Sequence, residues 1–269
     1  MTQNIEERVK INTFRSVSAM IAIGIIDIIT LPLISKLGGS DKRGYLLVAV
    51  LYGAIFAACH IFCFAKTKKA VTISEKKKIP IKLQIQTVLQ NKPYLLALLG
   101  QFLFGVTLYG RNADALYYFK YVEGTESLFT TYSMAIIIPS IIGAGLFPII
   151  FRWFGNKGRS ASILALGTGV CMLSLYLFSP VETPVPFYIC SGLTRFFFAG
   201  FNTAIYAIIP DCVEYGEWKT GVRNDGFQYA FISLENKIGM AIGTSVFAAV
   251  PGAAGFEANM QQKPCCVRK

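Results

Sequence analysis

Seven runs of about 19 or more largely uncharged residues punctuate this chain, and no other feature constrains its fold as much. They are Ser16–Ser35, Gly44–Ala65, Pro93–Phe119, Leu128–Phe151, Ser160–Phe178, Val185–Pro210 and Phe227–Val250. As helices rising about 1.5 Å per residue, such runs cross a hydrocarbon core of about 30 Å. Strands of a membrane barrel are excluded, because the runs are too long and lack a two-residue alternation. Charged residues make up 15% of the 269 and mean hydropathy is +0.50. In a soluble domain the charged share is about a quarter. The expected fold is an all-α integral membrane protein of seven transmembrane helices.

The net charge of +11 is concentrated where it sets topology. Eight lysines lie between Lys66 and Lys92, with Glu75 the only acid among them. A cationic cluster beside membrane spans holds a loop in the cytoplasm, which explains the charge without a nucleic-acid partner. On that side also fall Arg8, Lys10 and Arg15, the connection Phe151–Arg159, and the stretch Asp211–Asp225. Glu123, Glu126 and Glu182 mark the other face, while Lys36, Lys42 and Arg43 run against the bias, partly offset by Asp41. The expected placement is a multi-pass protein of the plasma membrane, with its N-terminus cytoplasmic and, for seven spans, its C-terminus outside. A seven-helix receptor needs the opposite sidedness.

The long lysine-rich loop divides the chain into residues 1–65 with two spans, the loop 66–92, residues 93–250 with five spans, and a polar tail 251–269 expected to be disordered. Met1–Lys10 lacks the apolar core of a cleavable signal. The seven cysteines are scattered, and Cys59, Cys63, Cys171 and Cys190 sit in predicted spans as small apolar residues. Cys59, His60 and Cys63 have no fourth ligand, so no metal is expected. Cys265 and Cys266 read either as an acylation site or as part of a scrambled tail. The lone His60 has no catalytic partner beside it, which argues against an enzyme.

Ionisable groups at bilayer depth cost roughly 2.5–3.5 kcal/mol on insertion scales, so each needs a reason. Asp27, Arg111, Asp114, Arg195, Glu235 and Lys237 are of this kind. Tyr229, Ser233, Lys237 and Thr244 share one helical face and are expected to wall a water-filled cavity, with Glu235 about 200° away round the helix. Arg111 and Asp114, spaced i and i+3, either pair along their helix or bind hydroxyls or a carboxylate. Tyr109, Tyr117 and Tyr118 around them suit a sugar face and equally suit interfacial anchoring. Asp27 and Arg195 are both near mid-depth and could meet across helices. Gly143, Gly145, Pro139, Pro148, Gly239 and Gly243 inside the spans permit close helix packing and local bends.

Between the last two spans lies the segment Pro210–Gly226, PDCVEYGEWKTGVRNDG, read as a charged loop with four acids, one lysine and one arginine. Asp211, Glu214, Tyr215, Gly216, Glu217, Trp218, Lys219 and Arg223 match the pattern D-x-x-[DE]-Y-G-E-[WY]-K-x-x-x-R position for position. That pattern, followed by an apolar helix bearing a lysine, resembles the glycoside–pentoside–hexuronide:cation symporter family of the major facilitator superfamily, to which melibiose carriers belong. Ile5–Arg15 (IEERVKINTFR), Ala115–Gly124 (ALYYFKYVEG) and Gly155, Gly158 and Arg159 resemble further family segments in register.

The resemblance covers about residues 5–250 and maps the seven spans onto the family's fifth to eleventh helices, a partial major-facilitator fold. It implies a secondary sugar transporter working by alternating access and coupled to a cation, Na+ or H+, with no other cofactor. It implies that Lys237 faces the cation and sugar region. The residues' own chemistry adds Arg111, Asp114, Arg195, Asp27, Tyr117 and Ser233 to the expected substrate and cation pathway, although Asp27 falls at a position that carries no acid in the family pattern. Asp211, Glu214, Glu217, Lys219 and Arg223 would form a cytoplasmic gate. It also implies a chain without the family's first four helices or its twelfth, so that a non-functional fragment of a carrier is the alternative reading. A seven-helix receptor or membrane enzyme is the remaining one. The expected partners are a sugar or glycoside, the coupling cation and the lipid bilayer.

Overall fold

The computed structural model describes residues 5–38, 42–67, 80–121, 126–178 and 185–253. Side chains at 5, 27, 31, 112–121, 126–131, 176–178, 248 and 250–253 lie outside the description. Every regular element among the described residues is an α-helix: α1 Ile5–Gly38, α2 Lys42–Lys66, α3 Ile81–Gln90, α4 Lys92–Tyr121, α5 Glu126–Phe154, α6 Lys157–Phe178, α7 Val185–Thr220 and α8 Asp225–Ala253. Six helices, α1, α2, α4, α5, α6 and α7, are long and apolar enough to cross a membrane. The seventh expected span is present as the 29-residue α8, but it is not among those six. Glu235 and Lys237 break its apolar run near the middle.

Three boundaries differ from expectation, and at the charged end of α7 the reason is that charge does not end a helix when the charged groups find partners. First, α1 begins at Ile5, not Ser16, and Glu6 and Glu7 lie in its first turn, where acids complement the helix dipole. Second, the presumed loop 66–92 contains the helix α3. Third, the charged segment after Pro210 is not a loop. α7 runs straight through Pro210 to Thr220, and the connection to α8 is only Gly221–Asn224. Gly221, at φ +67, is the first residue that breaks the helix, in a left-handed conformation suited to glycine.

The turn between α5 and α6 is equally short. Gly155 ends α5 at φ +63, and Asn156 Oδ1 accepts from the backbone N–H of Gly158 and Arg159 at 2.8 and 3.3 Å, capping α6.

α7 is the most buried helix of the bundle and packs between α5 and α6, while α4 pairs with α8. α1 lies against α5, and α2 packs chiefly on α1 and is otherwise exposed. The buried apolar cluster includes Val9 of α1, Tyr94 of α4, Phe147 of α5, Leu164 of α6, Phe201 and Ile209 of α7, and Ile232 of α8. Two glycines let backbones touch. A Cβ on Gly143 of α5 would collide with the carbonyl oxygen of Phe196 on α7, and one on Gly243 of α8 with that of Val106 on α4. Small residues at such crossings are what brings membrane helices together in the absence of a hydrophobic drive.

Candidate functional site: a polar cavity and an ion-paired helix end

The five helices α1, α4, α5, α7 and α8 enclose a cavity of about 380 Å³. Its polar lining is Gln101 and Tyr109 from α4, Tyr132, Ser133 and Ser140 from α5, Arg195 and Asn202 from α7, and Asn236 from α8. Met20 and Ile23 of α1 and Phe198 of α7 supply apolar wall. One guanidinium, two phenols and several amides in an apolar bundle make a surface that can hydrogen-bond a polyhydroxylated ligand. Tyr109, Tyr132 and Phe198 give it the flat apolar contacts that a sugar ring also presents.

Arg111 reaches this wall from behind. Its Nη2 donates to the Tyr132 hydroxyl at 3.1 Å and to Ser191 Oγ at 2.7 Å. It therefore fixes Tyr132 rather than lining the cavity. Asp114 and Tyr117, and Asp27 on α1, have side chains outside the described residues.

Lys237 and Ser233 do not line this cavity; both are exposed along α8. The middle of the expected stripe therefore faces outward, while Tyr229 packs against the buried cluster and Asn236 takes the position on the cavity. The physical cause is the α4–α8 contact. Gly239 and Gly243 seat α8 against Phe102 and Val106, which turns the Lys237 side about 200° away from Gly239.

The far half of α7 carries the second cluster. Asp211 accepts from Lys157 Nζ at 2.9 and 2.6 Å through its two oxygens. The same ammonium donates to the Ala207 carbonyl at 3.2 Å and is only 7% exposed. From α1, Arg8 Nη2 meets Glu214 Oε1 at 2.6 Å, and Arg8 Nη1 lies 4.0 Å from Asp211. Arg15 of α1 stands 4.1 Å over the Tyr206 ring, a cation–π contact between the same two helices. Asp211 and Glu214 thus bind a cation from α6 and one from α1.

Glu217 and Arg223 form a separate pair at 2.9 Å, with Asp225 at 3.0 Å on the other side of the guanidinium. The hydrogen bond to Asp225, helped by the charges of Asp225 and Glu217, outweighs desolvation by burial and pushes the Arg223 pKa above its usual value. Lys219 Nζ donates to the Gln90 carbonyl at 3.0 Å. Neutral bonds brace the same end: Asn91 Nδ2 to the Cys212 carbonyl at 2.7 Å, and the Tyr94 hydroxyl to the Gln228 carbonyl at 2.6 Å.

The acidic residues singled out from sequence do converge on one end of the bundle. Nothing in the sequence marks Arg8 and Lys157 as their partners, or Asn91 as a brace, because all three are distant in the chain. The cavity residues Gln101, Tyr132, Asn202 and Asn236 were also missed. The signal available for them is an amide or phenol inside a predicted span, which costs less at bilayer depth than a charge and so stands out less.

Residues 1–268 match the MFS/sugar transport protein family. The chain belongs to that family. It is 29% identical over 97% of its length to an isoprimeverose transporter of Lactiplantibacillus pentosus. It is 30% identical over 99% to the uncharacterized symporter YnaJ of Bacillus subtilis (strain 168), and 25% identical over 98% to a glucuronide carrier protein homolog of Escherichia coli (strain K12). The chain spans 55%, 58% and 58% of the length of these relatives, respectively. Kinship with glycoside–pentoside–hexuronide symporters, expected from the motif beginning at Asp211, therefore holds. The chain is a multi-pass membrane protein of a carrier family, not an enzyme. Among the described residues no group of three His, Cys, Asp or Glu could hold a metal ion.

Proposed function

We propose that this chain supplies the sugar-binding wall and the gate of a cation-coupled sugar symporter that works by alternating access. The observation that carries the reading is Arg195 in a cavity otherwise lined by amides, hydroxyls and aromatic rings. Arginine suits a carboxylate and the neutral groups suit hydroxyls, so the substrate class is a glycoside, pentoside or hexuronide. Relatives named as carriers of isoprimeverose and of glucuronides support that class. Arg111 would position Tyr132, and Asp27, Asp114 and Tyr117 would complete the pathway. Lys237 and Ser233, exposed on α8, would face a further bundle and the coupling cation, Na+ or H+.

In this reading the charged end of α7 is cytoplasmic and the protein sits in the plasma membrane, N-terminus inside and, for seven spans, C-terminus outside. Arg8 against Asp211 and Glu214 is the separable contact of the gate, because it joins the two-span segment 1–65 to the five-span segment 93–250. Glu217, Lys219 and Arg223 would stabilise the rest of the gate. Single exposed pairs contribute at most about 1 kcal/mol, so the gate needs several to bias a two-state equilibrium.

The test is equilibrium binding of labelled glycosides, pentosides and glucuronides to the detergent-solubilised chain, followed by uptake into vesicles under imposed Na+ or H+ gradients. Saturable binding, weakened about tenfold or more by Arg195→Gln for the acidic sugars, is the expected result. A folded chain that binds none of the three classes overturns the reading.

A further inference from the structure

α3 is the most amphipathic of the eight helices, and it is oriented the wrong way round for a water-bathed connector. Around its axis Val88, Ile81, Ile85 and Leu89 follow one another within an arc of about 100°, and Lys82 comes about 20° beyond Leu89. Gln84, Gln86, Thr87 and Gln90 share the rest of the circumference with Leu83. In a globular protein the apolar arc would turn inward. Here only Val88 does so, while Ile81, Ile85 and Leu89 are 70%, 43% and 62% exposed.

The edge of the polar side that carries Gln84 and Thr87 is fastened to the protein, while Gln86 and Gln90 are exposed. Asn224 Nδ2 donates to the Gln84 carbonyl at 3.2 Å and to Thr87 Oγ1 at 3.3 Å. Lys219 holds the Gln90 carbonyl at the helix end. These contacts with the α7–α8 connection fix the rotation of α3, so its aliphatic stripe cannot roll under. Its height is fixed too. Only Asn91 separates α3 from α4, a candidate membrane span, and α2, another, ends at Lys66. α3 therefore sits at the level where spans leave the bilayer, within the stretch that carries eight lysines and one acid.

We propose that α3 is an interfacial helix: Ile81, Ile85 and Leu89 enter the boundary of the acyl chains, and Lys66, Lys82 and Lys92 contact anionic phospholipid headgroups. An apolar stripe bordered by cations is the pattern of a surface-lying membrane helix. A stripe three side chains long is too narrow for a stable protein interface. The anionic lipid would hold the α7–α8 connection through Asn224 and Lys219, so the lipid composition would reach the charged end of α7.

The test uses tryptophan in a Trp153→Phe, Trp218→Phe background, reconstituted in vesicles of phosphatidylcholine with or without phosphatidylglycerol, both brominated on the acyl chains. Ile85→Trp, and independently Leu89→Trp, are expected to be quenched at least about threefold more than Gln86→Trp when phosphatidylglycerol is present. The contrast should shrink in phosphatidylcholine alone and in high salt. Equal quenching at all three positions, or a stripe shielded from bromine by protein, overturns the proposal. A contrast that ignores both anionic lipid and salt overturns the role of the lysines. Unchanged helix content by circular dichroism shows that each variant is folded.

Discussion

The two halves of α7 are held by different physics. From Val185 to Ile209 the helix is fixed by shape: Gly192, Ala199, Gly200, Thr203, Ala204 and Ala207 are buried, and Gly143 brings α5 against the Phe196 backbone. From Pro210 to Thr220 one face, with Cys212, Val213 and Gly216, is still buried, but polar partners are added: Lys157 and Arg8 on the acids, Asn91 on the Cys212 carbonyl, Lys219 on the Gln90 carbonyl. Packed backbones are bistable or immobile, whereas an ion pair whose acid is about half exposed, as Asp211 and Glu214 are, can exchange one partner for water at smaller cost. One continuous helix can therefore be an anchor at one end and a releasable contact at the other.

The largest effect should come from breaking the shape-held half. Gly143→Leu places a side chain where the Phe196 carbonyl lies, and should cost about 3 kcal/mol or more. Thermal unfolding in detergent should show loss of the cooperative transition. Gly53→Leu, a position with open space around it, is the control and should leave the midpoint nearly unchanged. Equal effects at both positions would erase the distinction drawn for α7.

An intermediate effect is expected from Lys157→Met. The ammonium is buried at 7% exposure, but its partner Asp211 is 43% exposed. The penalty for orphaning Asp211 is accordingly discounted from the fully buried range to about 1–2 kcal/mol. The same unfolding measurement should register it as a lowered midpoint with an intact transition.

The smallest effect belongs to Arg223→Gln, whose guanidinium and both acidic partners are between 37% and 46% exposed. It should cost about 0.5 kcal/mol or less, and a similar loss should appear in the parent protein at high salt. A loss as large as that of Lys157→Met would mean that the partner-held half has no graded, releasable component.

Much of this was legible in the residues. The run lengths named the helices to within a few residues at α2, α4 and α5, because the bilayer fixes the length of an apolar span. The motif from Asp211 to Arg223 named the family because its order of acids, aromatics and bases is chemically unusual. The helical course of the same motif was not legible, since Pro210 and a dense run of charge read locally as a turn. Only the proximity of Arg8 and Lys157 shows why the helix continues. Which side of α8 lines the cavity was not legible for a related reason: periodicity defines which residues share a face, not which neighbour that face meets.

By itself, then, the sequence determined the solvent this protein lives in, the number and kind of its long elements, and its kin. Those follow from hydrophobic length and from residue order, both local properties. Which side of α8 faces the cavity, which cations hold Asp211 and Glu214, and which arc of α3 stays exposed were decided by the tertiary structure. These depend on Gly143, Gly243 and Asn224 meeting partners distant in the chain, and a one-dimensional pattern carries no distances between helices.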